Sequence, residues 1–264
     1  MVVKERGRPL RVLKDLTSDP GFTGQFSVSP DGRRVAWIRA RGDLGEPGRL
    51  LVQSGRRARV VARDAAAGFP CATPVWSPDS RRVAYLPLGT GGVGRRVTAV
   101  PADGGGPARR LGTTRGVCHL AWAAGGRRLA GYTGDTAGVF LLDAATGRAR
   151  RVPGIPLANH VGGLSPDGRR VVVRELRPSA PGGDGAWPTA FTPSIVDTRT
   201  GRRIPVTADG EVLGAAYLPD ERLVVRVRGN PGNTLVLRAP DGRETGRLAE
   251  PPQSARMGLL TVVP

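Results

Sequence analysis

Short apolar runs alternate with polar turn residues along most of the chain. One such unit, FSVSPDGRRVAWIRA at residues 26–40, is repeated as PVWSPDSRRVAYLP at 74–87. In both copies a large apolar residue precedes Ser-Pro-Asp, and an aliphatic run follows an arginine pair. Because proline presets φ at the second turn position, and the Asp-Gly of the first copy favours left-handed backbone, the phrase is predicted to form a β-hairpin.

Five copies of this hairpin can be aligned on one anchor position. The anchors are separated by 48, 46, 42 and 53 residues, and they are Ser29, Ser77, Ala123, Ser165 and Leu218. A second predicted hairpin follows each copy, as in LLVQSGRRARVV at 50–61. Two hairpins per period predict a four-stranded antiparallel sheet, and sheets repeated at this spacing are typical of a β-propeller.

The repeated phrase also resembles a known family. A WSPDG-like hairpin followed by a strand ending in a D-x-x-G-x-x-x-R-x-L pattern is similar to the TolB-like, or WD40-like, β-propeller repeat of bacterial proteins. The resemblance covers essentially the whole chain, although residues 123–126 lack Ser-Pro-Asp and Leu218 replaces the serine of the fifth copy. It implies an all-β fold, a single propeller domain over residues 1–264, and a scaffold that binds proteins or ligands.

The number of blades depends on the two ends of the chain. Five full repeats cover about residues 22–250. Residues 1–13 are predicted to form an outer hairpin, and residues 254–264 an inner strand. Together they would complete a sixth blade of four antiparallel strands, which closes the ring with strands from both termini. A ring of five blades is the alternative.

The net charge of +18 comes almost entirely from arginine, since Lys4 and Lys14 are the only lysines. Arginine pairs follow the first-hairpin turns, and the resemblance places both hairpin turns of a blade at its lower end. The candidate residues of this lower rim are Arg127, Arg128, Arg169 and Arg170. They form either a solvated face that reflects composition or a surface for an anionic partner. Nucleic acid is not expected, because aromatic residues for base stacking are missing from these turns.

The longest departure from the repeat is the segment 177–193, which contains Trp187 and Phe191. The resemblance places it at the upper end of the fourth blade, where the connections between hairpins and between blades lie. His119 and His160 precede their anchors by four and five residues, so we expect them near the same end. These four residues are the candidate surface for a protein partner. An insertion packed over its own blade is the alternative.

Catalytic signatures are missing from the sequence. There is no G-x-S-x-G motif, and GTGGVG at 89–94 lacks the Lys-Ser/Thr of a phosphate-binding loop. A metal site formed by the histidines with Asn159 and Cys118 lacks a third good ligand. We therefore expect no catalytic residues, no metal and no cofactor. The competing hypothesis is a propeller enzyme, a lyase or hydrolase working at the upper mouth of the channel.

The sequence is compatible with more than one cellular compartment. Cys71 and Cys118 are expected to be buried free thiols, with a disulfide between adjacent blades as the alternative. No apolar run approaches the length of a membrane-spanning helix, and MVVKERGRPLRVL lacks the features of a signal peptide. The chain as given is expected to be a cytoplasmic monomer. A missing upstream signal or anchor would place it in the cell envelope or outside the cell.

Overall fold

The computed structural model describes residues 2–3, 11–12, 16, 19–42, 45–89, 92–93, 96–111, 117–133, 138–155, 158–176 and 191–253. These residues contain 24 strands and one 3₁₀ turn, Pro70–Ala72. The chain divides into two compact units. The first contains the described residues up to 120 together with 145–148, and the second contains 121–144 and 149–253.

Four short strands lie outside the larger sheets. Near the N-terminus, β1 (Val2–Val3) pairs antiparallel with β2 (Arg11–Val12). The second short pair is formed by β9 (Leu88–Gly89) and β10 (Gly92–Val93). The first of these pairs agrees with the hairpin predicted for residues 1–13.

The first unit contains two four-stranded antiparallel sheets. Sheet 1 has the order β3 (Phe22–Val28), β4 (Arg34–Arg39), β5 (Pro47–Ser54) and β6 (Arg57–Ala66). Sheet 2 has the order β7 (Val75–Trp76), β8 (Arg82–Tyr85), β11 (Thr98–Pro101) and β12 (Arg109–Arg110).

Three further sheets follow, each again with its strands in chain order. Sheet 3 contains β13 (Val117–Trp122), β14 (Arg128–Thr133), β15 (Gly138–Asp143) and β16 (Ala149–Arg151). Sheet 4 contains β17 (Ala158–Leu164), β18 (Arg170–Leu176), β19 (Phe191–Asp197) and β20 (Arg203–Ile204). Sheet 5 contains β21 (Val212–Tyr217), β22 (Leu223–Val227), β23 (Thr234–Arg238) and β24 (Glu244–Ala249).

The five anchor positions have the same backbone geometry. Each anchor N–H donates to a carbonyl four or five residues later, at 2.8–2.9 Å, as Ser29 does to Arg34. The turn residue that follows has positive φ in every copy, whether it is a glycine such as Gly32 (66°) or not, as in Ser80 (58°) and Glu221 (69°). The sequence alignment of the five copies is therefore confirmed, including the two that lack Ser-Pro-Asp.

Successive side chains of a strand lie on opposite faces of its sheet, and this alternation explains where the apolar side chains pack. In the first unit, Ile38, Leu50, Val83 and Tyr85 belong to one cluster that joins sheets 1 and 2. In the second unit, the two faces of sheet 4 belong to different clusters. Val171 and Val173 pack with residues of sheet 3, whereas Val172 packs with residues of sheet 5. A strand buried on both faces is thus nearly continuous in valine, as β18 is.

The predicted all-β class and the five four-stranded sheets are confirmed. Residues 254–264 lie outside the described part of the chain, so the sixth blade and the closure by both termini stay predictions. The single domain over residues 1–264 also stays a prediction. In the described residues, no helix is long and apolar enough to cross a membrane.

Candidate functional site

The Ser-Pro-Asp turns are held by a small hydrogen-bond network at the lower end of the sheets. The Ser77 hydroxyl donates to the Asp79 carboxylate at 2.6 Å and accepts the Arg82 N–H at 2.9 Å, while the Arg81 N–H donates to the same carboxylate at 3.0 Å. The turns at Ser29 and Ser165 repeat these contacts. The three serines are 0–5% exposed. The polar residues of the repeat therefore fix the turn.

Electrostatics at these turns favours ionised carboxylates. Burial alone would raise the pKa of Asp31, Asp79 and Asp167. The serine hydroxyl, the backbone N–H and the neighbouring arginines outweigh that effect and hold each pKa below 3.8. Each carboxylate thus neutralises part of the adjacent arginine charge.

The second arginine of a pair contacts the next sheet. The Arg34 guanidinium lies 5.2 Å from the ring centre of Trp76, the aromatic residue before the next anchor. Arg128 lies against Gly168, where an added methyl group would come within 2.6 Å of its Cδ. Burial raises the pKa of Tyr217, and the Arg170 guanidinium opposes that rise. These arginines therefore join neighbouring repeats, which the sequence pattern alone did not reveal.

A second series of arginines lies on the last strands of sheets 1, 2 and 3, which are β6, β12 and β16. One arginine of each strand donates to a backbone carbonyl in the second-hairpin turn of the next sheet. The pairs are Arg59 with Asp103 O, Arg109 with Ala145 O at 2.8 Å, and Arg150 with Thr198 O at 2.6 Å. Part of the arginine excess thus bridges repeats.

The first arginine of each pair remains at the surface. The side chain of Arg127 is 76% exposed and contacts Asp143 at 3.2 Å, and that of Arg169 is 82% exposed and lies 3.5 Å from Asp167. Exposed ion pairs of this kind contribute little to stability. Of the four candidate rim residues, Arg127 and Arg169 are therefore accessible to a partner, whereas Arg128 and Arg170 are half-buried.

A buried amide organises the upper end of sheet 1. The side chain of Gln25 is 1% exposed; its Nε2 donates to the carbonyls of Ala66 (3.0 Å) and Ala72 (3.1 Å). Its Oε1 accepts the Gly68 N–H at 2.9 Å and the Thr23 hydroxyl at 2.7 Å. Gln25 thus joins β3 to the end of β6 and the segment after it, a role that the sequence analysis missed.

The expectation of two free thiols is wrong, because Cys71 and Cys118 form a disulfide with Cα atoms 5.0 Å apart. Cys71 lies in the 3₁₀ turn after β6, and Cys118 lies on β13. The 3₁₀ turn places Cys71 within bonding distance of Cys118 on β13. The described residues contain no free cysteine.

A cleft of about 1020 Å³ lies in the first unit beside β6, β8, β11 and β12. The Tyr85 hydroxyl donates to the Asp64 carboxylate at 2.6 Å there. Burial, and then this carboxylate, raise the pKa of Tyr85 far above its usual value. Tyr85 is therefore a fixed hydrogen-bond donor at neutral pH.

The predicted partner-binding residues are only partly described. His119 and His160 are half-buried and lie on β13 and β17, in different compact units. Trp187 lies outside the described residues. Phe191 begins β19, and its backbone pairs with Leu176, so the last three residues of the predicted 177–193 loop are strand. No group of three or more potential metal ligands occurs within the described ranges.

No protein-family model matches the chain, and no curated protein matches it. Solved structures do. A putative TolB from Agrobacterium tumefaciens aligns with a TM-score of 0.58 and 16% identity over 94% of this chain and 86% of that protein. The fold is a TolB-like β-propeller. TolB from Acinetobacter baumannii also matches, with a TM-score of 0.51 and 16% identity, over 86% of this chain. This propeller chain spans 54% of that protein's length.

Enzymes share the same propeller fold. Oligogalacturonate lyase from Vibrio parahaemolyticus aligns with a TM-score of 0.54 and 12% identity, over 83% of this chain and 66% of that protein. At such identities the likeness describes the fold and carries no function with it. The five sheets of this chain are accordingly propeller blades, and their role depends on the residues displayed at their ends.

Proposed function

We propose that the chain is a non-catalytic propeller that binds another protein. The observation that carries this proposal is the segment 177–193, which departs from the repeat of a fold that resembles the Agrobacterium TolB over most of both chains. The polar residues of the repeat also support it, since Ser77, Asp79 and their counterparts are engaged in turn contacts. Binding then depends on residues that depart from the repeat.

The proposed binding surface is the upper end of the fourth blade. Segment 177–193 departs from the repeat and carries Trp187 and Phe191, and Phe191 begins β19. Aromatic residues contribute much of the energy of protein interfaces. His160, on β17 of the same sheet, is the further residue of the proposed surface. We expect the propeller to be monomeric without its partner, which size-exclusion chromatography with light scattering can measure.

Two variants test the location of binding. The first replaces Trp187 and Phe191 with alanine; the second replaces Arg127 and Arg169 with glutamine. We expect the first to lose partners in pull-downs at low and moderate salt, because apolar contacts are little screened. Loss of partners in the arginine variant alone, and at low salt alone, would contradict the proposal.

A specific observation favours a second candidate, the binding of an anionic partner at the lower rim. The side chains of Arg127 and Arg169 are 76% and 82% exposed on one rim. Such charge accelerates association more than it confers specificity. The low-salt outcome described above is the result that this candidate predicts.

The likeness to the Vibrio lyase keeps an enzymatic function as a further candidate. A lyase or hydrolase would act at the upper mouth of the channel. Elemental analysis of the purified protein tests for stoichiometric metal, and its presence would favour the enzyme over the scaffold.

The disulfide is relevant to the cellular compartment in which the protein resides. Structural disulfides are typical of oxidising compartments and rare in the cytosol. We therefore favour the cell envelope or the exterior over the cytoplasm. Mass spectrometry of protein from its native source, alkylated before reduction, measures the pairing. Two alkylated thiols would favour the cytoplasm.

A further inference from the structure

The cleft beside β6 is rich in arginine. Its lining contains four arginines and one acid, and the full lining is Asp64, Arg82, Tyr85, Pro87, Leu88, Gly89, Arg96, Thr98, Pro107, Ala108, Arg109 and Arg110. Its volume of about 1020 Å³ is at the upper end of the range for small-molecule sites. The cleft thus combines room for a ligand with an excess of positive charge.

Strand register divides three of these arginines, Arg82, Arg109 and Arg110, into two groups, and Arg96 precedes β11. Thr98 pairs with Tyr85 on one side and with Arg110 on the other, so these three side chains lie on one face of sheet 2. That face is the one from which Tyr85 reaches Asp64 of sheet 1. Arg110 is therefore directed to the same side of the sheet as the carboxylate.

The other group lies on the opposite face and has structural contacts. Ala99 pairs with Arg109, and the Arg109 guanidinium donates to the Ala145 carbonyl of sheet 3. Arg82 lies near Asp79, whose pKa it helps to lower. Arg96 and Arg110, both exposed, have no hydrogen-bond or ion-pair partner for their guanidinium groups among the described residues. These two arginines are the ones available to a ligand.

We propose that this cleft binds a small anion carrying two or more carboxylate or phosphate groups, held by Arg96 and Arg110. Guanidinium groups match the geometry of both oxyanions and can bind them in a bidentate manner. Asp64 opposes binding through its charge, while its bond with Tyr85 keeps its position fixed. The site is separate from the protein-binding surface proposed for the fourth blade, so either can be correct without the other.

Calorimetric titration at low ionic strength tests the site. Citrate provides carboxylates, pyrophosphate provides phosphates, and glycerol is the neutral control. We expect one of the two anions to bind with saturable 1:1 stoichiometry, and the better binder identifies the ligand chemistry. Failure of both anions to bind would overturn the proposal.

Arginine variants distinguish binding at a specific site from nonspecific electrostatic attraction. The double variant Arg96→Gln/Arg110→Gln is expected to weaken binding about tenfold or more, since it removes both proposed charged partners. The matched control Arg33→Gln/Arg199→Gln removes the same charge from exposed turn positions and should change affinity less than about twofold. Equal weakening in both would show nonspecific attraction and would overturn the site.

Asp64→Asn is expected to raise the affinity for the anion, whereas the arginine double variant lowers it. Asparagine keeps an oxygen that can accept the Tyr85 hydroxyl and removes the negative charge. Affinity for the anion should therefore rise by about two- to fivefold, because the repulsion is removed at short range. Unchanged or weakened binding would contradict the proposed location, and this result does not depend on the arginine variants being well folded.

Discussion

The two ends of the first unit are stabilised in different ways. At the lower end, the same contacts occur in successive sheets, with a buried serine, a carboxylate and an arginine pair at each turn. At the upper end, each contact occurs once: Gln25 joins β3 to the segment after β6, and Cys71 is bonded to Cys118. The repeat therefore specifies the lower end, and non-repeated residues specify the upper end and the cleft.

The largest effect is expected from removing the disulfide at the upper end. The double variant Cys71→Ala/Cys118→Ala opens a covalent loop of 47 residues that contains sheet 2. We expect the free energy of unfolding to fall by about 2–4 kcal/mol, because the unfolded chain gains conformational freedom. Urea unfolding measures the change. The unmodified protein unfolded with a reductant is the control and should match the variant.

An equal unfolding midpoint for the oxidised protein and the double variant would contradict this prediction. It would mean that contacts other than the disulfide hold the 3₁₀ turn against β13. The disulfide would then contribute nothing measurable to the stability of the upper end.

The second prediction concerns the buried amide at the same end. Gln25→Leu leaves the carbonyls of Ala66 and Ala72 and the N–H of Gly68 without their partner in a buried position. We expect a loss of about 2–3 kcal/mol. The matched control Gln53→Leu removes one exposed bond, to Gly55, and should cost less than about 0.5 kcal/mol. Similar losses of stability in the two variants would show that the buried hydrogen bonds of Gln25 contribute no more than an exposed one.

The turns at the lower end could be predicted from the sequence because their residues recur at a regular spacing. The five anchors and the positive φ of the turn followed from the repeated phrase, even where Ala123 and Leu218 replace serine. Within the same repeat, the second arginine was missed, since its contact with the next sheet depends on strand parity and on an aromatic partner about 40 residues away, as for Arg34 and Trp76.

The upper end could not be predicted for a different reason. One buried glutamine has no periodic signal, and the pairing of Cys71 with Cys118 depends on a 3₁₀ turn that no repeat position indicates. The cleft likewise depends on three strands that bring Asp64, Tyr85 and Arg110 together. Such sites follow from tertiary packing, which the pattern of residues along the chain does not reveal.

The third prediction perturbs the lower end. Ser77→Ala removes a buried hydroxyl that bonds both Asp79 and the Arg82 N–H. We expect a loss of about 1–2 kcal/mol, less than for Gln25, because the backbone bonds of the turn remain. Ser54→Ala, at an exposed position, is the matched control. A larger loss for Ser77 than for Gln25 would reverse the ranking of the two ends.

Acid should weaken the lower end through its carboxylates. The pKa values of Asp31, Asp79 and Asp167 are lowered in the folded protein from 3.8. Their contribution to stability is therefore present above pH 3.8 and is lost as pH falls through the lowered values. Unfolding measured from pH 6 downwards should show this loss, and Asp31→Asn should make it shallower. An unchanged slope in that variant would exclude Asp31 as a contributor.

The smallest effect is expected from the two turns that lack glycine. Glu221 is exposed and has a φ of 69°, so Glu221→Gly should stabilise the fold by roughly 0.5–1 kcal/mol through relief of left-handed strain. Ser80 has a similar φ of 58°, but its hydroxyl accepts the Asp31 N–H at 3.1 Å from the neighbouring sheet. Ser80→Gly should therefore stabilise the fold less than Glu221→Gly does, or destabilise it. The reason is that the lost hydrogen bond to Asp31 offsets the relief of strain. Differential scanning calorimetry of both variants measures the difference, and an equal rise in melting temperature would show that the Asp31–Ser80 bond contributes nothing to the lower end.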